Sequence, residues 1–156
     1  MMKYLFSFAI TFFVTACQAQ PDASNSANYV VQGLAEAAAN TPYLAKVQHV
    51  NVVEESAIDP VTQEEYQRHV YSADVLTTYR GTNEVKISYA VRVEKGEDTA
   101  LDNTPVIIAL CRDTLGLLYW PGTGSQFPVN RQTELWLQQH EKTLQQQNST
   151  DSWCAD

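Results

Sequence analysis

The sequence predicts an all-β or β-rich α+β domain in which five strands curl into a small barrel flanked by an N-terminal and a C-terminal helix. Residues 84–94 alternate between apolar and polar side chains, which is the period of a strand with one buried face. Residues 104–111 form a continuous apolar run, which is typical of a strand covered on both faces. Apolar residues recur at helical spacing over 29–40 and 130–147. Five short, twisted strands hide their edges best by closing on themselves.

The first residues predict export. Residues 4–16 are uncharged and follow a positive start, and the run is too short to span a bilayer comfortably. It ends in VTAC at positions 14–17, which resembles the bacterial lipobox. We therefore expect a signal peptide at 1–16 and an acylated Cys17 at the mature N-terminus. Ordinary cleavage after Ala19 is the alternative.

Acylation of Cys17 would make membrane attachment stable, since each buried methylene contributes about 0.8 kcal/mol. Gln18 follows the cysteine. In the bacterial lipoproteins that this start resembles, an Asp there favours the inner membrane, so Gln18 implies the outer membrane, facing the periplasm. Residues 17–28 are small and polar and predict a flexible tether, with one globular domain at 29–156.

A helix and a three-stranded meander are predicted to open this domain. Asn28 can cap the helix over 29–40, and Pro42 follows its end. The predicted strands are residues 43–54, 65–79 and 84–94. Hairpins centred on Asp59 and Thr82 place one shared set of residues on one face. The pairs that this register predicts include Val47–Tyr71, His49–His69, Tyr71–Val93 and Val75–Tyr89.

The second half is predicted to contain a strand hairpin and a helix. A polar loop over 95–103 precedes the apolar strand 104–111, and residues 115–120 return beside it. Residues 121–128 are rich in Gly and Pro and predict a loop. The last predicted element is the amphipathic helix over 130–147.

Three cysteines fix the expected disulfide. If Cys17 carries lipid, Cys111 and Cys154 remain as an even pair in an oxidising compartment. We predict a bond between them, which would pin the C-terminal tail to a strand. Two free thiols are the alternative, and no CxxC motif indicates a catalytic thiol.

The charge excludes one class of partner. The formal net charge of the chain is -8, and loss of Lys3 with the signal peptide makes the mature part more acidic. An acidic surface without a basic cluster repels phosphate backbones, so we expect no nucleic-acid binding.

The predicted layout resembles an OB-fold, and its middle is similar to the domain of tissue inhibitors of metalloproteinases and netrin C-termini. The resemblance rests on the strand pattern YLAKVQHVNVV at 43–53, VLTTYRG at 75–81, VKISYAV at 85–91 and a later strand that ends in Cys111. Those inhibitors place an unmodified N-terminal cysteine over the protease metal, whereas Cys17 is expected to be acylated here. No inhibitor residue therefore carries over, and protease inhibition is only an alternative function.

Two residue sets are candidates for binding. His49 and His69, if opposed, could share a metal ion or act as a pH switch. No spacing motif supports a metal site, and the alternative, that they are polar residues at the sheet rim, is favoured. Tyr119, Trp120 and Phe127 surround a glycine-rich loop and could line a ligand groove, although core packing also explains aromatic residues there.

The sequence contains no coherent catalytic set, since its three histidines lack a nucleophile frame or a metal-ligand spacing. The expected protein is therefore a non-enzymatic, membrane-anchored lipoprotein without a cofactor. It would bind an envelope protein or a glycan, or act as an accessory module. The alternatives are a barrel-type protease inhibitor and a metal-binding envelope protein that uses His49 and His69.

Overall fold

The computed structural model describes residues 23–59 and 61–154, so the predicted signal peptide, Cys17 and the first part of the tether lie outside the described residues. The described part is β-rich and has two helices, which confirms the predicted class. Its elements are α1 (Ala23–Asn40), β1 (Tyr43–Ile58), β2 (Glu65–Arg80), β3 (Lys86–Val93), β4 (Val106–Arg112), β5 (Leu118–Tyr119), β6 (Gln126–Pro128) and α2 (Arg131–Gln146).

Five of the strands form a closed ring. Neighbours follow the order β1-β2-β3-β5-β4, and β4 pairs again with β1. The β3–β5 pair is parallel and the other pairs are antiparallel. The sixth strand, β6, pairs with β4 at Val106, Ile107 and Ile108. The prediction of a loop over 121–128 is therefore wrong for its last residues. A three-residue strand between Gly and Pro is too short to produce a recognisable period.

The ring separates two apolar clusters. All five ring strands contribute to the ring-interior cluster, which contains Tyr43, Ala45, Val47, Ala73, Ile87, Tyr89, Ile108, Leu110 and Leu118. The helix-side cluster lies between the strands and both helices and contains Leu34, Ala37, Ala38, Leu44, Tyr79, Ile107, Ala109, Phe127, Leu137 and Leu144. Successive residues of β4 alternate between the two clusters, as the apolar run predicted for a strand covered on both faces.

A bulge at Val50 changes the register of β1. Val47 pairs with Val75 and His49 with Ala73, but Asn51 pairs with Ser72 and Val52 with Tyr71, which leaves Val50 without a partner in β2. Because directly paired residues share a face, the inward residues are odd-numbered before the bulge and even-numbered after it.

The predicted hairpin partners are wrong, although the predicted face is right before the bulge. His49 pairs with Ala73 and not with His69, which pairs with Glu54. In the second hairpin, Tyr71 pairs with Tyr89 and not with Val93. In both cases the partner is displaced by four residues, and an even displacement keeps each side chain on its face.

The helix ends follow local signals. Asn130 caps α2 by accepting hydrogen bonds from the backbone N–H groups of Gln132 and Thr133, so the predicted start is confirmed. The end of α1 at Asn40 is also as predicted, but this helix begins at Ala23 and includes residues 23–28, which were assigned to the tether. These residues contain neither Gly nor Pro and so do not interrupt a helix. Neither described helix is long and apolar enough to cross a membrane.

The C-terminal tail is bound to the end of α1. The predicted disulfide is confirmed, because the Sγ atoms of Cys111 and Cys154 lie at bonding distance, 1.93 Å apart. The backbone N–H of Thr150 donates to the carbonyl of Ala39, and that of Trp153 donates to the carbonyl of Asn40. Trp153 also packs against the helix-side cluster. The tail is therefore part of the folded domain.

Candidate functional site

One end of the ring interior is open and forms a cavity of about 270 Å³. Strand side chains form its floor and walls, and residues from the loop 94–105 form its rim. The residues that line it are His49, His69, Tyr71, Tyr89, Val91, Val93, Glu97, Ala100, Asp102, Val106, Trp120 and Gln126. Apolar walls that surround a few convergent polar groups are typical of a small-molecule site.

His49 occupies the centre of a short hydrogen-bonded chain. Its Nε2 lies 2.8 Å from the hydroxyl of Tyr89, and its Nδ1 lies 3.3 Å from the backbone carbonyl of Asp102. A carbonyl can only accept, so Nδ1 carries the proton of the neutral ring and the Tyr89 hydroxyl donates to Nε2. Both imidazole nitrogens are therefore used within the protein.

Two further side chains hold the same loop. His69 Nε2 donates to the carbonyl of Glu97 at 3.1 Å, and the Tyr71 hydroxyl donates to the carbonyl of Ala100 at 3.2 Å. Together with His49 of β1, these two inward-facing side chains of β2 connect the sheet interior to three carbonyls of the loop 94–105. This loop has no helix or strand, so these bonds fix the height of the cavity rim.

The aromatic rings of the cavity contact one another. Tyr71 and Tyr89 stack with their centroids 5.5 Å apart and their planes 18° from parallel. The Tyr71 ring also lies 5.2 Å from the ring of His49 and 6.5 Å from the ring of His69. Tyr71 therefore lies between the two histidines along the inner face.

Burial keeps the central groups neutral. The pKa of His49 is lowered, mainly because burial penalises the imidazolium form. Burial also raises the pKa of the Tyr89 hydroxyl strongly, and the neighbouring Tyr71 adds to this effect. The pKa of Tyr71 is raised by burial and by the charge of Glu97. At the rim, the backbone N–H of Thr104 lowers the pKa of Asp102, so this carboxylate is ionised at neutral pH.

The structure brings His49 and His69 into one cavity, but not as the opposed pair that the sequence predicted. Within the described ranges, no group of three or more His, Cys, Asp or Glu side chains is placed to hold a metal ion. Two imidazoles alone do not complete the tetrahedral ligand set of a structural zinc site.

The three predicted groove aromatics do not share one groove. Trp120 lines the cavity, where its ring joins the ring-interior cluster. Phe127 is buried in the helix-side cluster and lines a separate groove with Tyr29 and Trp153. Tyr119 is half-buried in β5, where its backbone is opposite Cys111.

Sequence reasoning missed Tyr71, Tyr89 and the rim loop. The two tyrosines do belong to the alternating inward set, so period alone could have identified their face. The residue types of the loop 94–105 could not indicate that it forms the cavity rim. The loop accepts hydrogen bonds through its backbone carbonyls, and every residue type has the same carbonyl.

No protein-family model matches the chain, and no curated protein matches it significantly. Its function must therefore be inferred from the chemistry of its own residues.

Proposed function

We propose that this protein is a lipid-anchored protein of the cell envelope, facing the periplasm from the outer membrane, whose domain is a non-enzymatic binding module. Its five-stranded ring would be an OB-like barrel, and the open end of the ring would be the ligand site. The observation that carries the proposal is the cavity, in which apolar walls and convergent polar groups surround an accessible space.

The hydrogen bonds of His49 favour a binding role for this residue over general-base catalysis. Both nitrogens of His49 are occupied, so this imidazole has no free lone pair with which to take a proton from a substrate. Among the described residues that line the cavity, none is a Ser, Thr, Cys or Lys that could act as a nucleophile.

The ring arrangement supports the comparison with an OB-like barrel. The order β1-β2-β3-β5-β4 returns to β1, and every strand of the ring contributes to the ring-interior cluster. OB-type barrels bind ligands on one face and through their loops. Protease inhibition and metal binding stay predictions, and no contact within the described ranges favours either over ligand binding.

Cys17 tests the anchor. In cells that express the full chain, the wild-type protein should incorporate radiolabelled palmitate and partition into detergent, whereas Cys17→Ala should do neither. Cys154→Ala is the matched control and should still be labelled, because the lipid is expected on Cys17 alone. A wild-type protein that begins at Gln20 by mass spectrometry and carries no lipid would refute the anchor.

A pair of loop variants tests the cavity. Ala100→Trp adds an indole inside the cavity while keeping the carbonyl that binds Tyr71, and Thr99→Trp adds the same group beside it, outside the lining. Ligand-observed NMR with a panel of small cationic, neutral and anionic compounds should find binding that Ala100→Trp abolishes and Thr99→Trp preserves. If no compound distinguishes the two variants, the cavity is not a ligand site.

A further inference from the structure

Each imidazole N–H and phenol O–H group of the cavity donates its hydrogen bond to an acceptor within the protein. Three donate to carbonyls of the rim loop, and the fourth donates to an imidazole nitrogen. These bonds are His49 Nδ1–H to Asp102, His69 Nε2–H to Glu97, Tyr71 O–H to Ala100 and Tyr89 O–H to His49 Nε2. The side-chain donors that remain for a ligand are the Trp120 indole N–H and the amide of Gln126, which can also accept.

The groups left for a ligand are therefore mostly acceptors. In the Nε2–H tautomer that its bond to the Glu97 carbonyl requires, His69 has a lone pair on Nδ1, and each of the two phenol oxygens keeps lone-pair capacity after donating its proton. The stacked rings of Tyr71 and Tyr89 and the indole of Trp120 add aromatic surfaces. The faces of such rings carry negative electrostatic potential and attract cations.

The charged side chains that line the cavity have one sign. Glu97 and Asp102 lie at its rim, and no Lys or Arg is among the described residues that line it. A carboxylate or phosphate ligand would meet acceptors and like charges, whereas a ligand with N–H donors and a positive charge would meet complementary groups.

From these three observations we propose that the cavity binds a small organic ammonium ion, with its N–H groups donating to the acceptors and its charge facing the aromatic rings and the two rim carboxylates. The proposal rests on the proposed function of the cavity as a ligand site and specifies the ligand class. The cavity volume of about 270 Å³ lies just below the range of about 300–1,000 Å³ that drug-sized ligands occupy, so the ion must be small.

The experiment compares four probes of similar size on the full protein at constant ionic strength: butylammonium, tetramethylammonium, 1-butanol and butyrate. Chemical shifts of the histidine and tryptophan rings report occupancy of the cavity. Butylammonium should bind most tightly, because it alone combines charge with N–H donors. Tetramethylammonium should bind more weakly through the aromatic faces only, and the alcohol and the carboxylate should bind least.

Three charge-neutralising variants locate the effect. Glu97→Gln and Asp102→Asn keep the rim carbonyls and should each weaken butylammonium binding by about 1.5- to 5-fold, the range for an exposed ion pair. Asp98→Asn removes the same charge from the same loop outside the lining and should leave binding within about 1.3-fold of wild type, because solvent screens exposed, distant charges.

The outcomes separate this inference from the proposed function. Tight binding of 1-butanol or butyrate that Ala100→Trp blocks and Thr99→Trp permits would uphold the cavity as a ligand site and overturn the ammonium assignment. Equal loss of butylammonium binding in Asp98→Asn and Asp102→Asn would show a non-specific surface effect and also overturn it. Binding of none of the four probes would overturn it as well.

Discussion

Removal of the disulfide tests how the tail contributes to stability. Cys154→Ser breaks the bond to Cys111, but it leaves the tail its hydrogen bonds to the carbonyls of Ala39 and Asn40 and the packing of Trp153. These contacts hold the tail in place in the folded state. The main consequence of the substitution should therefore fall on the unfolded chain, which gains conformational freedom when the cross-link is lost.

The size of the effect follows from the loop that the bond closes. The two cysteines are 43 residues apart. Chain-entropy arguments give a stabilisation of about 4 kcal/mol for a loop of that length. With an m-value of about 1.5 kcal/mol/M, the midpoint of urea unfolding should fall by about 2.5 M.

Equilibrium unfolding in urea, followed by circular dichroism, measures this shift. Wild-type protein in a reducing agent should unfold at the same midpoint as Cys154→Ser, because both lack the same bond. A shift of less than about 0.7 M urea, which corresponds to about 1 kcal/mol, would refute the entropic reasoning. It would mean that residual structure already restricts the unfolded chain when the cross-link is absent.

Two other predictions concern the stability of the fold. Gly81→Ala should destabilise the fold by about 2–4 kcal/mol, because φ at this position is +96° and the new Cβ would lie 2.7 Å from Cδ2 of Tyr43. The control is Gly96→Ala, which also has a positive φ but open space around the new Cβ, and it should cost about 1–2 kcal/mol in the same urea assay. Equal losses of stability in the two variants would contradict the close contact with Tyr43. Because burial lowers the pKa of His49, the unfolded state binds more protons below about pH 6.5, so the free energy of unfolding should fall as pH drops from 7.5 to 5. His49→Phe should flatten this dependence, and an unchanged slope would exclude His49 as its source.

The sequence predicted the parts of the fold that depend on hydrophobic period. The alternation in β3 and the apolar run of β4 were sufficient to place both strands, and the helical spacing over 130–147 was sufficient to place α2. The predicted cap of α1 is wrong, because Asn28 lies inside that helix. The sequence did not predict which residues pair between strands, because the pairing depends on where each hairpin turns. The segment between β2 and β3 runs from Gly81 to Val85 and has almost no strand pairing. In this pairing each β2 residue is therefore opposite a β3 residue four positions away from its predicted partner, as Tyr71 is opposite Tyr89 instead of Val93.

The candidate site was predicted only in part. His49 and His69 were selected for their chemistry, and both line one cavity. The register that predicted their proximity is wrong, because the structure does not pair them with each other. Trp120 was selected for its position and lies there too, whereas Phe127 lies on the other side of β4. Which side chains converge depends on ring closure, and closure joins strands that are distant in sequence.

The bulge at Val50 has a consequence for how the chain can change in length. Loss of Val50 would remove the bulge and bring Asn51, opposite Ser72, directly after His49, opposite Ala73, so residues 51–58 would keep their faces and Glu55 would keep its bonds to Arg68. A one-residue deletion among residues 98–99 would leave every strand pair as it is. Single-residue deletions should therefore be tolerated both in that loop and at position 50, whereas an insertion beside Val50 would exchange the two rows of side chains on one side of it.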